Sequence, residues 1–147
     1  SELAVALGQC TRLLEASNTA HHGPVEGEMV CYFTRPIDAL KIWSQLHGDL
    51  PAETLGLPRA VLYAGVELSA ERNELRRLFA RNLQKARNAL AQTPEMGLIL
   101  NQEAYETLAE KQRKSMQKCA NPADFYLLDV GRARSIKADF FSEVGDG

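Results

Sequence analysis

The chain has 147 residues, of which 45% are hydrophobic and 24% charged, and its formal net charge is −2. This length and composition are typical of a soluble globular domain, so we predict a single domain over residues 1–147. The small net charge gives no global field that would recruit nucleic acid or anionic lipid, and no apolar run is long enough to cross a bilayer. We find no secretory leader, and the abrupt helical start is compatible with a fragment of a longer protein.

The three cysteines, Cys10, Cys31 and Cys119, are far apart and form no CxxC motif. An odd and scattered set argues against a disulfide framework and favours a reducing compartment, so we expect a cytoplasmic protein. Cys31 lies in an apolar stretch without a basic neighbour, which predicts a buried thiol rather than a nucleophile.

Helix and strand patterns alternate through the first third of the chain. Apolar residues at helical spacing predict a first helix over residues 3–14. In the segment NTAHHGP that follows, Gly23 suits a left-handed cap and Pro24 cannot continue the helix. The run MVCYF over residues 29–33 predicts a strand, and Pro36 opens a second helix.

The rest of the chain also alternates between predicted strands and helices, one of which is long. Asn101 is predicted to be the N-cap of the helix that follows it. The predicted elements are a strand over 59–68, a helix over 71–92, a strand over 97–100, a helix over 102–118, a strand over 124–130 and a closing hairpin strand within 132–144. This order predicts an α/β domain with a mixed sheet on which the helices pack.

Four stretches, taken in this order, resemble the class III nucleotidyl cyclase domain, the catalytic unit of many adenylate and guanylate cyclases. They are LLEASNTAHHGPVEGEMVCYFTRPIDAL, RAVLYAGVEL, ARNLQKARNALAQTPEMGLILNQEAYETL and DFYLLDVGRARSIKADFFSEV. The resemblance extends from about Leu3 to Val144. It implies a ferredoxin-like sandwich of the cyclase type, an α+β fold with helices on one face of a mixed sheet, lacking the family's first strand.

The chain departs from the family where that family binds two Mg²⁺ or Mn²⁺ ions through two aspartates. One aspartate belongs to the absent first strand. The other aligns with Gly27, because the family's Gly-Asp-Gly reads Glu26, Gly27, Glu28 here. The resemblance therefore implies a catalytically degenerate domain without catalytic residues or a resident cofactor, and Mg²⁺ or Mn²⁺ would bind only if activity remained.

The family also carries an Asn and an Arg one turn apart on its long helix, where they meet ribose and phosphate. Asn82 matches the Asn, but Ala86 stands four residues later and Arg87 follows one place late. A one-residue offset turns a helical side chain by about 100°, so Arg87 could serve only if the alignment slips locally.

Basic side chains at Arg77, Arg81 and Lys85 repeat every four residues along the same helix. Together with Asn82 and Arg87 they are the residues that we predict to bind a nucleotide or another phosphate group. The alternative, which we favour on the sequence alone, is a solvated helix face with nearby glutamates as counter-ions. The absence of interleaved aromatic residues makes nucleic acid an unfavoured partner.

Glu26 and Glu28 are the weak candidates for a metal site, since next-but-one residues on a strand share a face. Two solvated acids at a turn are the favoured alternative. His21 and His22 lack a third ligand nearby, so we interpret them as polar residues at a helix end.

We therefore predict a regulatory module of a signalling protein that forms a homodimer or binds a partner protein, with a nucleotide-like ligand and without a membrane segment. Three alternatives remain open. One is an active cyclase domain completed by an upstream segment or a partner chain. Another is a degenerate diguanylate cyclase domain, in which EGEM would stand for that family's Gly-Asp-Glu-Phe. The third is a scaffold domain without a ligand.

Overall fold

The computed structural model describes residues 2–49, 60–63, 72–93, 97–129, 136 and 138–141. Helices and strands are interspersed along these residues, with two strands, over residues 21–25 and 117–118, that the sequence did not predict. The helices are α1 (Glu2–Ala16), α2 (Pro36–Asp49), α3 (Arg72–Gln92), α4 (Gln102–Glu106), α5 (Glu110–Arg113) and a C-terminal 3₁₀ helix (Ala138–Phe141). The strands are β1 (His21–Val25), β2 (Glu28–Cys31), β3 (Ala60–Leu62), β4 (Gly97–Asn101), β5 (Gln117–Lys118) and β6 (Phe125–Asp129).

The described strands form two sheets rather than the single mixed sheet that we predicted. Strands β1 and β2 make an antiparallel hairpin, while the second sheet has the order β3-β4-β6-β5. In that sheet β3 runs parallel to β4, and the β4–β6 and β5–β6 pairs are antiparallel. The prediction of a mixed α/β domain is thus confirmed. The β1–β2 hairpin is not part of the mixed sheet.

Helix α1 ends earlier than the sequence indicated, because Asn18 rather than Gly23 provides the left-handed residue. Asn18 has a φ of 54°, the Asn18 N–H donates to the Glu15 carbonyl and the Thr19 N–H donates to the Leu14 carbonyl. These two bonds are the Schellman pattern, which satisfies the last carbonyls of a helix. Gly23 instead lies inside β1 with a φ of 104°, where the ladder shifts register.

The predicted helix over 102–118 is wrong as a single element. Asn101 does cap α4 through a 3.1 Å bond from the Ala104 N–H, as predicted. The helix stops after Glu106, and the Ala109 N–H donates to the Gln112 side chain, at 2.7 Å, instead of to a carbonyl one turn back. Residues 117–118 pair with β6. A side-chain hydrogen bond therefore replaces the backbone hydrogen bonds of a continuous helix at this point, although the spacing of apolar residues in the sequence continues through it.

Two other predicted strands are only partly described. Of the strand predicted over 59–68, β3 occupies residues 60–62, and residues 59 and 64–70 lie outside the described part. Within the predicted closing hairpin, residues 138–141 form a 3₁₀ helix rather than a strand, and most of the remainder is also outside the described part.

The described core has two clusters, and α2 contributes to both. Ile37, Leu40 and Trp43 of α2 pack in the first cluster with side chains of the four-stranded sheet, among them Leu100 and Leu128. The second cluster lies between α1 and the hairpin and is made by Ala6, Cys10, Leu14 and Leu46, with Met29 and Cys31 packed against it. None of the described helices combines the length and hydropathy that crossing a bilayer would require.

Candidate functional site

The acidic segment Glu26-Gly27-Glu28 lies at the turn of the β1–β2 hairpin. Val25 pairs with Glu28, which leaves Glu26 and Gly27 as a two-residue loop. Both have positive φ, 50° and 76°, the signature of a type I′ turn whose twist matches that of the strands. Glycine suits the second of these positions, and a glutamate at the first is tolerated less readily. Gly27 therefore has a conformational role in closing the hairpin.

Arg87 on α3 binds the carboxylate of Glu28 through two hydrogen bonds. Its Nε donates to Oε1 at 2.9 Å and its Nη2 donates to Oε2 at 2.5 Å. This two-point geometry is the most specific that an arginine and a carboxylate can form. The contact joins residues 59 positions apart and ties the long helix to the start of β2. Both side chains remain near half exposed, at 48% and 42%, so solvent screens the pair.

The hydrogen bonds from Arg87 lower the pKa of the Glu28 carboxyl, and the guanidinium charge adds to this effect while slight burial opposes it. The same bonds raise the pKa of Arg87, which is charged at any ordinary pH. A carboxyl whose folded pKa lies below its unfolded value stabilises the fold above the unfolded pKa. That contribution is lost as the pH falls through the folded pKa.

We expect a double-mutant cycle of Glu28→Gln, Arg87→Gln and the combined variant to show a favourable coupling at pH 7. The coupling is expected to be small, because both side chains are partly solvated. It should be present above the ordinary pKa range of glutamate and disappear as the pH falls through the lowered pKa of Glu28, where the carboxyl becomes protonated. Urea midpoints at each pH measure it, and a coupling that is unchanged in acid would contradict the ion pair.

The structure places the predicted phosphate-binding residues on different sides of α3. Arg81 and Lys85 are exposed and Asn82 is half-buried, whereas Arg87 points to the hairpin. The side chain of Arg77 lies outside the described part of the chain. Ala86, the position where the cyclase resemblance would require arginine, is buried at 7% exposure.

Helix α3 is continuous from residue 72 to 92, so its geometry fixes the angle between Asn82 and Arg87. Five residues separate them, which turns their side chains about 140° apart around the helix axis. Asn82 and Ala86, which are four residues apart, share a side. A local slip that would bring Arg87 beside Asn82 therefore finds no support in the helix, and phosphate binding by this set stays a prediction.

The premise of the Glu26–Glu28 metal site is wrong, because Glu26 occupies the turn and only Glu28 lies on a strand. The two acids therefore do not share a strand face, and Arg87 already holds Glu28. Among the described residues, no group of three or more His, Cys, Asp or Glu side chains is arranged to hold a metal ion.

A groove of about 410 Å³ lies between the start of α2 and the α4–α5 segment. Its lining consists of Thr34, Arg35, Pro36, Ile37, Thr107, Leu108, Ala109 and Gln112. None of the predicted site residues belongs to this lining, so the groove and the basic residues of α3 are separate features of the surface.

The sequence interpretation missed two features of the interior. His47, in the last turn of α2, is fully buried, with its ring centroid 4.9 Å from that of Trp43. Cys10 and Cys31, which looked scattered, reach the same cluster from α1 and β2. The sequence does contain a pattern that could have predicted this, because each cysteine lies on the apolar face of its own helix or strand.

No family model, curated protein or solved structure matches the chain. The geometry above therefore carries the functional argument.

Proposed function

We propose that the chain is a catalytically degenerate cyclase-homology module with a regulatory role, acting by association with a second copy or a partner protein. The observation that carries the proposal is the pairing of Glu28 with Arg87. The acid beside the family's metal position and the arginine nearest its phosphate position neutralise each other. An arrangement built for metal-assisted attack on a triphosphate would leave both charges available to the ligand.

The hairpin turn supports the same proposal. Gly27 stands where the resemblance requires a metal-binding aspartate, and its positive φ serves the type I′ turn. The carboxylate of the next residue does not substitute for it, because Glu28 already binds Arg87. What remains of the site is a contact between the hairpin and α3, which suits a module that acts by association rather than by chemistry.

The finer assignment within this proposal is a ferredoxin-like sandwich of the cyclase type with helices on one face, in which the two described sheets are parts of one larger sheet. Among the described strands, β2 pairs only with β1 and β3 pairs only with β4, so each presents one edge without a described partner strand. Helix α2 packs against both sheets. Helix α3 contacts β3 and reaches β2 through Arg87. In our proposal one further strand, from another segment of the polypeptide or a partner, pairs with these edges.

Apolar side chains beside the hairpin favour association as the mode of action. Val25 is 58% exposed at the end of β1, and Tyr32 is 46% exposed just after β2. Strand edges next to exposed apolar residues are sites where a second chain adds. We propose that this surface contacts the partner, while the exposed Arg81 and Lys85 would meet a nucleotide-like ligand.

The proposal is tested on one sample by light scattering and by an assay for cyclic nucleotides. We expect a mass near twice 16.3 kDa at micromolar concentration. We also expect no cyclic product from ATP or GTP with Mn²⁺. Turnover that disappears in Asn82→Ala would instead identify an active cyclase, and a constant monomer mass up to high concentration would sink the self-association.

A further inference from the structure

Two thiols meet where α1 packs on the hairpin. Cys10 belongs to the second core cluster with 8% of its surface exposed, and the half-buried Cys31 packs against that cluster from β2. The two side chains reach this one cluster from positions 21 apart in the sequence. Neither thiol belongs to the Glu28–Arg87 pair or to the basic side of α3.

His21 completes this group with a defined tautomer. It lies opposite Cys31 in the β1–β2 ladder, and its Nδ1 is 3.0 Å from the carbonyl oxygen of Thr19. Because a carbonyl can only accept, Nδ1 must carry the proton of this bond. In the neutral ring Nε2 then presents a lone pair, so the imidazole can take up a proton from a neighbouring thiol.

The hydrogen bond from Cys31 lowers the pKa of the Cys10 thiol, and the charge of His21 adds to this effect while burial opposes it. The same bond and burial raise the pKa of Cys31. Cys10 is therefore the thiol that more readily becomes a thiolate, the form that attacks an oxidant. Cys31 keeps its proton in the resting pair and loses it only as its sulfur reacts in the second step.

We propose that Cys10 and Cys31 are a site of reversible oxidative modification, at which a hydroperoxide converts the thiol pair to an intramolecular disulfide. The Cys10 thiolate attacks the peroxide, the O–O bond breaks, and Cys10 becomes a sulfenic acid as hydroxide or alkoxide leaves. The sulfur of Cys31 then attacks the Cys10 sulfur, an S–S bond forms and water departs with the Cys31 proton. Two thiols are oxidised by two electrons and one peroxide is reduced.

The geometry makes the second step short. Both thiols already pack in one cluster, so the disulfide joins side chains that the fold has brought together. The product would bind α1 covalently to β2, the strand that also carries Glu28. The third cysteine, Cys119, follows β5 in the other sheet and serves as an internal reference.

The test is a disulfide map of the full chain after treatment with a small excess of hydrogen peroxide. Remaining thiols are blocked with N-ethylmaleimide, and the chain is digested with trypsin without reductant. Because Pro36 protects Arg35 from cleavage, we expect peptide 1–12 linked to peptide 13–41, with Cys119 alkylated on its own peptide. Dithiothreitol should separate the linked pair.

Variants then assign the two roles. Cys119→Ser should give the same linked peptides, and Cys31→Ser should leave Cys10 as a sulfenic acid that dimedone traps. His21→Gln should slow disulfide formation at pH 7, and an unchanged rate would overturn the role of His21 as proton acceptor. Two results with the wild-type protein would overturn the proposal. One is that Cys10 and Cys31 are both alkylated while Cys119 is oxidised, and the other is a disulfide found only between two chains.

Discussion

Replacing Gly97 with alanine is expected to lower the free energy of unfolding by about 3 kcal/mol, a large share of the stability of a domain this size. Gly97 begins β4, the strand that holds β3 and β6 together. A Cβ there would lie 2.5 Å from the carbonyl oxygen of Leu128 and 2.9 Å from the Cα of Asp129. Both atoms are backbone, so relief requires β6 to move away from β4. Urea denaturation measures the change.

The matched control for this substitution is Gly8→Ala in the middle of α1. Among the described residues, no atom beyond the adjacent residues and the local helix backbone lies within 4 Å of a Cβ at that position. Alanine is the better helix former, so the variant should gain about 0.5 to 1 kcal/mol. If Gly97→Ala and Gly8→Ala shift the urea midpoint of unfolding in the same direction, the close approach of β6 to β4 does not explain the effect at Gly97.

The second large effect is expected from Gln112→Met, which preserves side-chain size and removes both polar groups. Gln112 is 2% exposed. Its Oε1 accepts from the Ala109 N–H at 2.7 Å, and its Nε2 donates to the Phe140 carbonyl of the C-terminal 3₁₀ helix. Methionine leaves both backbone groups without these partners, so we expect a loss of about 2 to 3 kcal/mol.

A structural readout distinguishes this mechanism from general destabilisation. Hydrogen exchange should accelerate around residues 138–141 under conditions in which the four-stranded sheet stays protected, because Gln112 is an anchor for that turn. The control is Gln102→Met, which removes a hydrogen bond to Glu106 on an exposed surface and should change stability by less than about 0.5 kcal/mol. Equal losses in the two glutamine variants would refute the role of Gln112.

The sequence predicted correctly those helix ends that are determined by residues nearby in the sequence. Pro36 begins α2 and Asn101 caps α4, because a ring that fixes φ and a short amide side chain act within one turn. The long helix α3 is found within a residue of its predicted limits, since its apolar spacing extends over many turns.

The interpretation failed where a distant residue decides the local structure. The break between α4 and α5 involves Gln112, whose other partner, Phe140, is 28 positions away. The candidate site depends in the same way on Glu28 and Arg87, which are 59 positions apart. Periodicity in one segment contains no information about such contacts. Only the tertiary arrangement shows that an acid near a turn and a base on a helix form one pair.

The position of α2 between the two core clusters has a consequence for cooperativity. Ile37 and Trp43 anchor one side of this helix in the first cluster, and Leu46 anchors its last turn in the second. Melting of either cluster alone would remove part of the apolar packing of α2, so we expect the two small cores to be thermodynamically coupled and to open as one unit. Trp43 is the sole tryptophan of the chain and lies in the first cluster, one turn before Leu46 of the second. Its fluorescence would therefore follow the loss of both cores in a single transition.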